Sequence, residues 1–175
     1  MIVRLLAVLI VNSSYLYSQS TSRDGVDSLI NVYNHQIDIR ERSLLLKSAL
    51  YQTEDDRVES LMRLVLTNSV TEDCYYSAMY LAKRGDSTAL AILNKSFWNW
   101  PVSSWQMSFT ARLFGERKYY RSTDNLIEAL EAVSVNLSGE ALTALETLYP
   151  GAPKFEAPST AQKYFKKASS GQKSK

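Results

Sequence analysis

The stretch from Cys74 to Phe97, CYYSAMYLAKRGDSTALAILNKSF, leaves few folds open. Its first half places Cys74, Ala78 and Leu81 at i, i+4 and i+7, with Tyr75 and Ala82 beside them, a stripe wide enough to bury against a neighbouring helix. Thr71 is positioned to cap that helix, and Glu72 and Asp73 suit its positive end. Lys83 and Arg84 suit the carbonyl end, and Gly85 can take the left-handed conformation that closes it. Asp86 or Ser87 then caps a second helix carrying Leu90, Leu93 and Phe97 at i, i+3 and i+7. Start, stop and stripe agree on helix, turn, helix.

The pattern recurs. Leu50, Leu81, Leu113 and Leu148 stand at equivalent places, spaced 31, 32 and 35 residues apart. Each is followed by a polar break and a second apolar-periodic segment. The breaks are Gln52-Thr53, Gly85-Asp86, Gly115 with the inserted ERKYY, and Pro150-Gly151. Such a period points to stacked helix pairs that bury their faces only against neighbours. Within this frame Thr53 and Asp56 form a capping-box pattern ahead of Val58, Leu61, Leu64 and Val65. Leu126, Ile127, Leu130 and Val133 form one later helix, and Leu142, Leu145 and Leu148 another. A last helix follows Pro158, with Ala161, Tyr164, Phe165 and Ala168 on one face and Gly171 at its end. From Trp105 to Leu113 apolar residues alternate as in a strand, yet Trp105, Phe109 and Leu113 at four-residue spacing keep the repeat register. We read that segment as helix.

The second unit, with LAKRGDSTALAIL, resembles a HEAT-type repeat of the short bacterial kind, in which a Gly-Asp turn joins antiparallel helices. The resemblance spans roughly residues 41–168 and implies an all-α chain of about eight or nine helices, paired and stacked as a short right-handed α-solenoid. A non-repetitive helical bundle is the alternative. The tetratricopeptide signature is absent.

The two ends of the chain differ from its middle. Residues 1–20 carry Arg4 as their only charge, then Leu5 to Val11 as an apolar run, then small polar residues: the layout of a secretory signal peptide. The competing reading is a buried first helix. Export implies a periplasmic or secreted setting. Residues 21–40, with Val26, Leu29, Ile30 and Tyr33 periodic, form a leading helix that caps the domain at 41–170. Of the 20 Lys and Arg, five are lysines from Lys163 onward with no acidic residue among them, leaving 15 basic against 18 acidic residues before. Residues 171–175 form a basic disordered tail, a solubilising end or a contact for an anionic membrane or polysaccharide. A net charge of +2 gives no field that announces nucleic acid.

Catalytic equipment is thin. His35 is the only histidine and Cys74 the only cysteine, so no His-dependent triad or zinc site assembles at known spacings, and no metal or cofactor is expected. Cys74 lies on an apolar stripe, as an inert core thiol does; intermolecular pairing is the alternative. His35 fits a surface or capping role. With six glycines the chain has no phosphate-cradling loop. The carboxylate pairs Asp55-Asp56, Glu72-Asp73 and Glu128 with Glu131 fall at helix starts or on solvated faces. The sequons at Asn94 and Asn136 lie in or beside helices and are set aside.

Aromatic residues are the remaining signal. All three Trp fall within FWNWPVSSW, where Pro101 interrupts helix, and Tyr119 and Tyr120 fall in the inserted turn. Phe97 and Trp105 suit space between helix pairs. Trp98, Trp100, Tyr119 and Tyr120 suit partner binding, since such rings bury much area at interfaces. The sequence therefore favours an exported, non-enzymatic module that binds another protein, as an envelope scaffold or an inhibitor of a secreted enzyme. A histidine-independent hydrolase or lyase using Glu128, Glu131 and Tyr is the alternative.

Overall fold

A computed structural model describes residues 23–35, 39–52, 56–66 and 71–172, and every regular element among them is helical. The helices are α1 (Arg23–His35), α2 (Ile39–Gln52), α3 (Asp56–Leu66), α4 (Glu72–Lys83), α5 (Ser87–Lys95), α6 (Ser104–Glu116), α7 (Thr123–Ala129), α8 (Val135–Leu148) and α9 (Pro158–Gln172). A 3-10 turn occupies Tyr120–Ser122. The expected signal segment, the Thr53 end of the capping box and the last three residues of the tail lie outside the described residues. The chain divides between Leu81 and Ala82 into two compact units.

In the first unit α1 packs on both α2 and α3. Along α3, Val58, Leu61, Met62 and Val65 recur every three or four residues and are all buried, which is why this short segment holds as helix. Leu64 misses that stripe and is exposed. Thr71 caps α4 as the sequence indicates, its hydroxyl accepting from the Cys74 N–H at 3.4 Å. Asp73 departs from expectation. It belongs to the first turn of α4, but only 6% of it meets solvent. Its carboxylate accepts from Ser43 Oγ of α2 and lies 3.5 Å from Tyr33 Oη of α1 and 3.8 Å from Arg42 Nε. Arg42 donates to Tyr33 Oη at 2.8 Å, and its guanidinium stands 4.6 Å from the centre of that ring. One carboxylate thus ties together α1, α2 and α4, because a buried charge demands partners that two neighbouring helices supply.

Burial raises the Tyr33 phenol above its ordinary pKa, the Arg42 hydrogen bond opposing. Burial likewise raises the Cys74 thiol, with the Asp73 charge adding to it. Cys74 is 3% exposed and directs Sγ toward the Leu66 carbonyl at 3.7 Å, an inert core thiol. His35 is exposed in the last turn of α1, with Nδ1 2.8 Å from the Asn31 carbonyl.

The second unit opens on the turn that the sequence marks most clearly. Gly85 has φ +90°, its N–H donates to the Ala82 carbonyl, and Asp86 accepts from the Ala89 N–H at 2.8 Å to start α5. The alternating segment at Trp105–Leu113 is helical, as the four-residue spacing requires. Ser103 and Gln106 close a reciprocal capping box ahead of it. Gly115 is not a turn residue: α6 continues through it. It is buried where α6 meets α8, the most extensively packed helix pair among the described residues, and a Cβ there would lie 2.8 Å from Ala144 Cα. Arg112 of α6 grips Glu140 of α8 side-on, Nε and Nη2 each donating to one carboxylate oxygen, the Nε contact at 3.0 Å. That carboxylate holds the guanidinium charged and raises its pKa.

Helix α7 packs on α8, and α9 packs on both. Helix α7 is shorter than its apolar spacing suggests. It stops at Ala129, i→i−3 bonds from Glu131 to Glu128 and from Ala132 to Ala129 close it, and Val133 stands fully exposed before Ser134 caps α8. The nearby capping serine outweighs one β-branched residue on the stripe. Helix α9 continues through Gly171 to Gln172.

Two glycines give a paired test. Gly115→Ala should lower stability by about 1–3 kcal/mol, because α6 and α8 must separate. Gly139→Ala, in α8 with nothing within 4 Å of its new Cβ, should raise it by about 0.5–1 kcal/mol. Urea unfolding measures both. A second test concerns pH. The folded state binds the Tyr33 and Cys74 protons more tightly than the unfolded chain does. Their contribution is complete below the ordinary values of 9.0 and 10.0 and declines as pH rises through the folded ones. Unfolding curves from about pH 8 to about pH 11 should show the first unit weakening, and Tyr33→Phe should flatten that loss.

Candidate interaction surface

The last turn of α5 and the connection from α6 to α7 form one corner of the second unit. Asn94 of α5 donates to the Arg121 carbonyl at 3.2 Å, and Asn125 of α7 donates to both Asn94 oxygens, at 2.7 and 2.8 Å. The Asn94 amide is thereby committed to packing. Below this clamp run aromatic contacts. Phe97, 1% exposed, meets Phe114 at 5.9 Å, and Phe114 stacks on Tyr119 at 5.6 Å. Trp98 stands edge-to-face on Phe97 at 5.0 Å, with 40% of its surface in solvent. Tyr120 is 52% exposed and rests edge-to-face on Tyr149 at 6.1 Å. Tyr149 packs on Phe165 of α9 and bonds the Thr123 hydroxyl at 3.1 Å. Two exposed rings are thus seated on others, Trp98 on a buried ring and Tyr120 on a half-buried one, which fixes their orientation at little further entropic cost.

The four aromatic candidates separate. Trp98, Tyr119 and Tyr120 share this corner, Tyr119 half-buried between the other two. Trp100 does not belong to the surface. Only 6% of it is exposed, and the turn after α5 folds its ring inward, where it joins the core. Trp105 reverses its expectation too. It is half exposed in the first turn of α6, its ring against Phe109 at 4.4 Å, instead of filling space between helices. Register with Phe109 and Leu113 places Trp105 between helices and position on a connection places Trp100 at the surface, whereas the Pro101 connection turns the chain so that Trp100 faces in.

The backbone here is also unusual. Helix α6 closes with the Tyr119 N–H bonded to the Phe114 carbonyl at 2.9 Å and the Lys118 N–H to Gly115 at 3.0 Å. This Schellman closure needs a left-handed residue, and Lys118 supplies it with φ 50°. Glycine is the usual occupant, since a Cβ costs about 1 kcal/mol there.

A groove of about 240 Å³ between α7 and α9 is lined by Asp124, Ile127, Glu128, Glu131, Gln162, Lys166 and Ser169. Glu128 and Glu131 lie on its exposed rim, and Glu131 is 3.9 Å from Lys166. Gln162 is buried beneath, its amide 3.5 Å from the Ile127 carbonyl. Of the other expected carboxylate pairs, Asp55 lies outside the described residues, and Glu72 and Asp73 part: Glu72 accepts from the Tyr76 hydroxyl at 3.0 Å, while Asp73 serves the buried network. Among the described residues no group of three or more His, Cys, Asp or Glu is placed to hold a metal ion, and no helix is long and apolar enough to cross a membrane.

No protein-family model matches the chain, and neither a curated protein nor a solved structure does.

Relief of the left-handed strain is measurable. Lys118→Gly should stabilise the second unit by about 1 kcal/mol in urea unfolding, and Lys118→Ala should not.

Proposed function

We propose that this chain is an exported, non-enzymatic module that binds another protein through the corner carrying Trp98, Tyr119 and Tyr120. The observation that carries the reading is the seating of Trp98 on the buried Phe97 ring and of Tyr120 on the half-buried Tyr149 ring, both exposed themselves and in one compact unit. Interface anchors are of this kind: large, rigid and pre-oriented. Export rests on the layout of residues 1–20.

The HEAT-like solenoid belongs to the same proposal. Helices at equivalent places in successive helix pairs of the second unit lie side by side: α6 on α8, and α7 on α9. The Asn94–Asn125 hydrogen bonds join α5 to α7 in the same sense. This arrangement fits stacked helix pairs, with the corner at one end of the pairs, where repeat proteins place their binding loops.

The test is capture by residues 21–175 from the envelope and secreted fractions of the source, beside a Trp98→Ala/Tyr120→Ala variant of unchanged helix content. One stoichiometric protein, held at least about tenfold more weakly by the variant, is the expected result. No captured protein at any salt concentration overturns the reading. The alternative, a hydrolase or lyase, has one observation behind it: Glu128 and Glu131 rim the same groove. It requires Glu128→Gln/Glu131→Gln to abolish an activity, whereas the binding module should capture its partner undiminished with both changes.

A further inference from the structure

Four exposed cations lie on the segments that carry the exposed rings. Lys95 ends α5, Arg117 caps α6, Lys118 follows in the left-handed turn, and Arg121 lies in the 3-10 turn; all four are exposed. Arg42, Arg57, Arg63 and Arg112 each sit beside a carboxylate. Among the described residues the side chains of Lys95, Arg117, Lys118 and Arg121 have no such partner. The Asn94–Arg121 hydrogen bond and the contacts from Phe97 through Phe114 to Tyr119 bring them to one corner.

Lys95 and Arg117 suit the carbonyl ends of their helices without further reason. Lys118 does not. Its conformation favours glycine, so a lysine there trades stability for a charge at that point. Two acidic residues lie nearby, Glu116 and Asp124. Four cations against these two carboxylates leave the corner a positive excess. The backbone N–H groups of residues 117–120 are all spent on carbonyls of the chain, which leaves recognition to side chains.

We propose that this corner binds an acidic segment of a partner protein, carboxylates meeting Lys95, Arg117, Lys118 and Arg121 while an apolar or aromatic residue between them packs on Trp98 and Tyr120. The proposal rests on the protein-binding reading above and names the chemistry of its partner. Charge complementarity selects the partner and the rings supply contact area. Arginine's planar fork suits bidentate carboxylate pairing.

The probe is a fluorescein-labelled peptide of Glu-Glu-Tyr-Gly repeats, with the same peptide carrying Gln for Glu and an oligothymidylate of equal charge. Binding is read by anisotropy at low salt and at about 0.15 M salt. The Glu peptide should bind at least about tenfold more tightly than either competitor and weaken with salt. Lys118→Gly/Arg121→Gln should remove most of that preference. Because Lys118→Gly relieves strain, a loss of binding with an unchanged or raised melting point is not a folding defect. Equal affinity for the Glu and Gln peptides overturns the proposal. So does tighter binding of the oligothymidylate, or a variant that binds as the parent does. If a captured protein is held equally by parent and variant, acidic recognition fails and protein binding stands. If nothing is captured, the protein-binding reading fails, and the peptide comparison still decides the chemistry of the corner.

Discussion

The contact on which the second unit depends is the approach of α6 to α8 at Gly115 and Ala144. No side chain separates the two backbones there, since even a Cβ would fall 2.8 Å from Ala144 Cα. Close approach multiplies dispersion contacts along both helices and sets the distance at which Arg112 reaches Glu140. It also commits the only glycine near the end of α6 to packing. The left-handed residue that closes the helix three positions later is Lys118. Helix packing, the strained lysine and the exposed Tyr119-Tyr120 turn are thus one linked arrangement. The same glycine cannot serve both the helix contact and the turn.

The first unit is organised by a different constraint. Asp73 is a buried charge, and its partners come from helices far apart in sequence: Tyr33, Arg42 and Ser43. A buried ion pair is weak evidence for net stability, because desolvation offsets most of the attraction. What it does give is direction. Sliding one of these helices by a turn would part the Asp73 carboxylate from Ser43 and Tyr33, a loss that apolar stripes alone would not register.

Local chemistry was legible and long-range placement was not. Gly85, Asp86 and Thr71 could be read because a cap or a left-handed turn is a property of a few adjacent residues. The four-residue spacing of Trp105, Phe109 and Leu113 recovered a helix where alternation suggested a strand. The end of α7 before Val133 was missed because a competing cap at Ser134 outweighs one favourable spacing. The exchange of Trp100 and Trp105 between core and surface depends on how the Pro101 connection turns, which no periodicity records. Asp73 carries no mark in the sequence that distinguishes it from Glu72 beside it. At the corner, the charged and aromatic insert after Gly115 was visible as an insert; that Lys95 and Trp98 join it depends on the Asn94–Asn125 clamp.

The closure at Lys118 also bears on how the molecule meets proteases. Arg117, Lys118 and Arg121 are exposed basic residues in succession, the side chains that trypsin-like enzymes select. Such enzymes require several residues in extended form in their cleft, and here the N–H groups of residues 117–120 are bound into a tight turn. Cleavage must wait for that turn to open, so its rate reports the opening free energy of the corner and not the exposure of its side chains. A ligand that holds the turn closed would be seen as protection at these bonds.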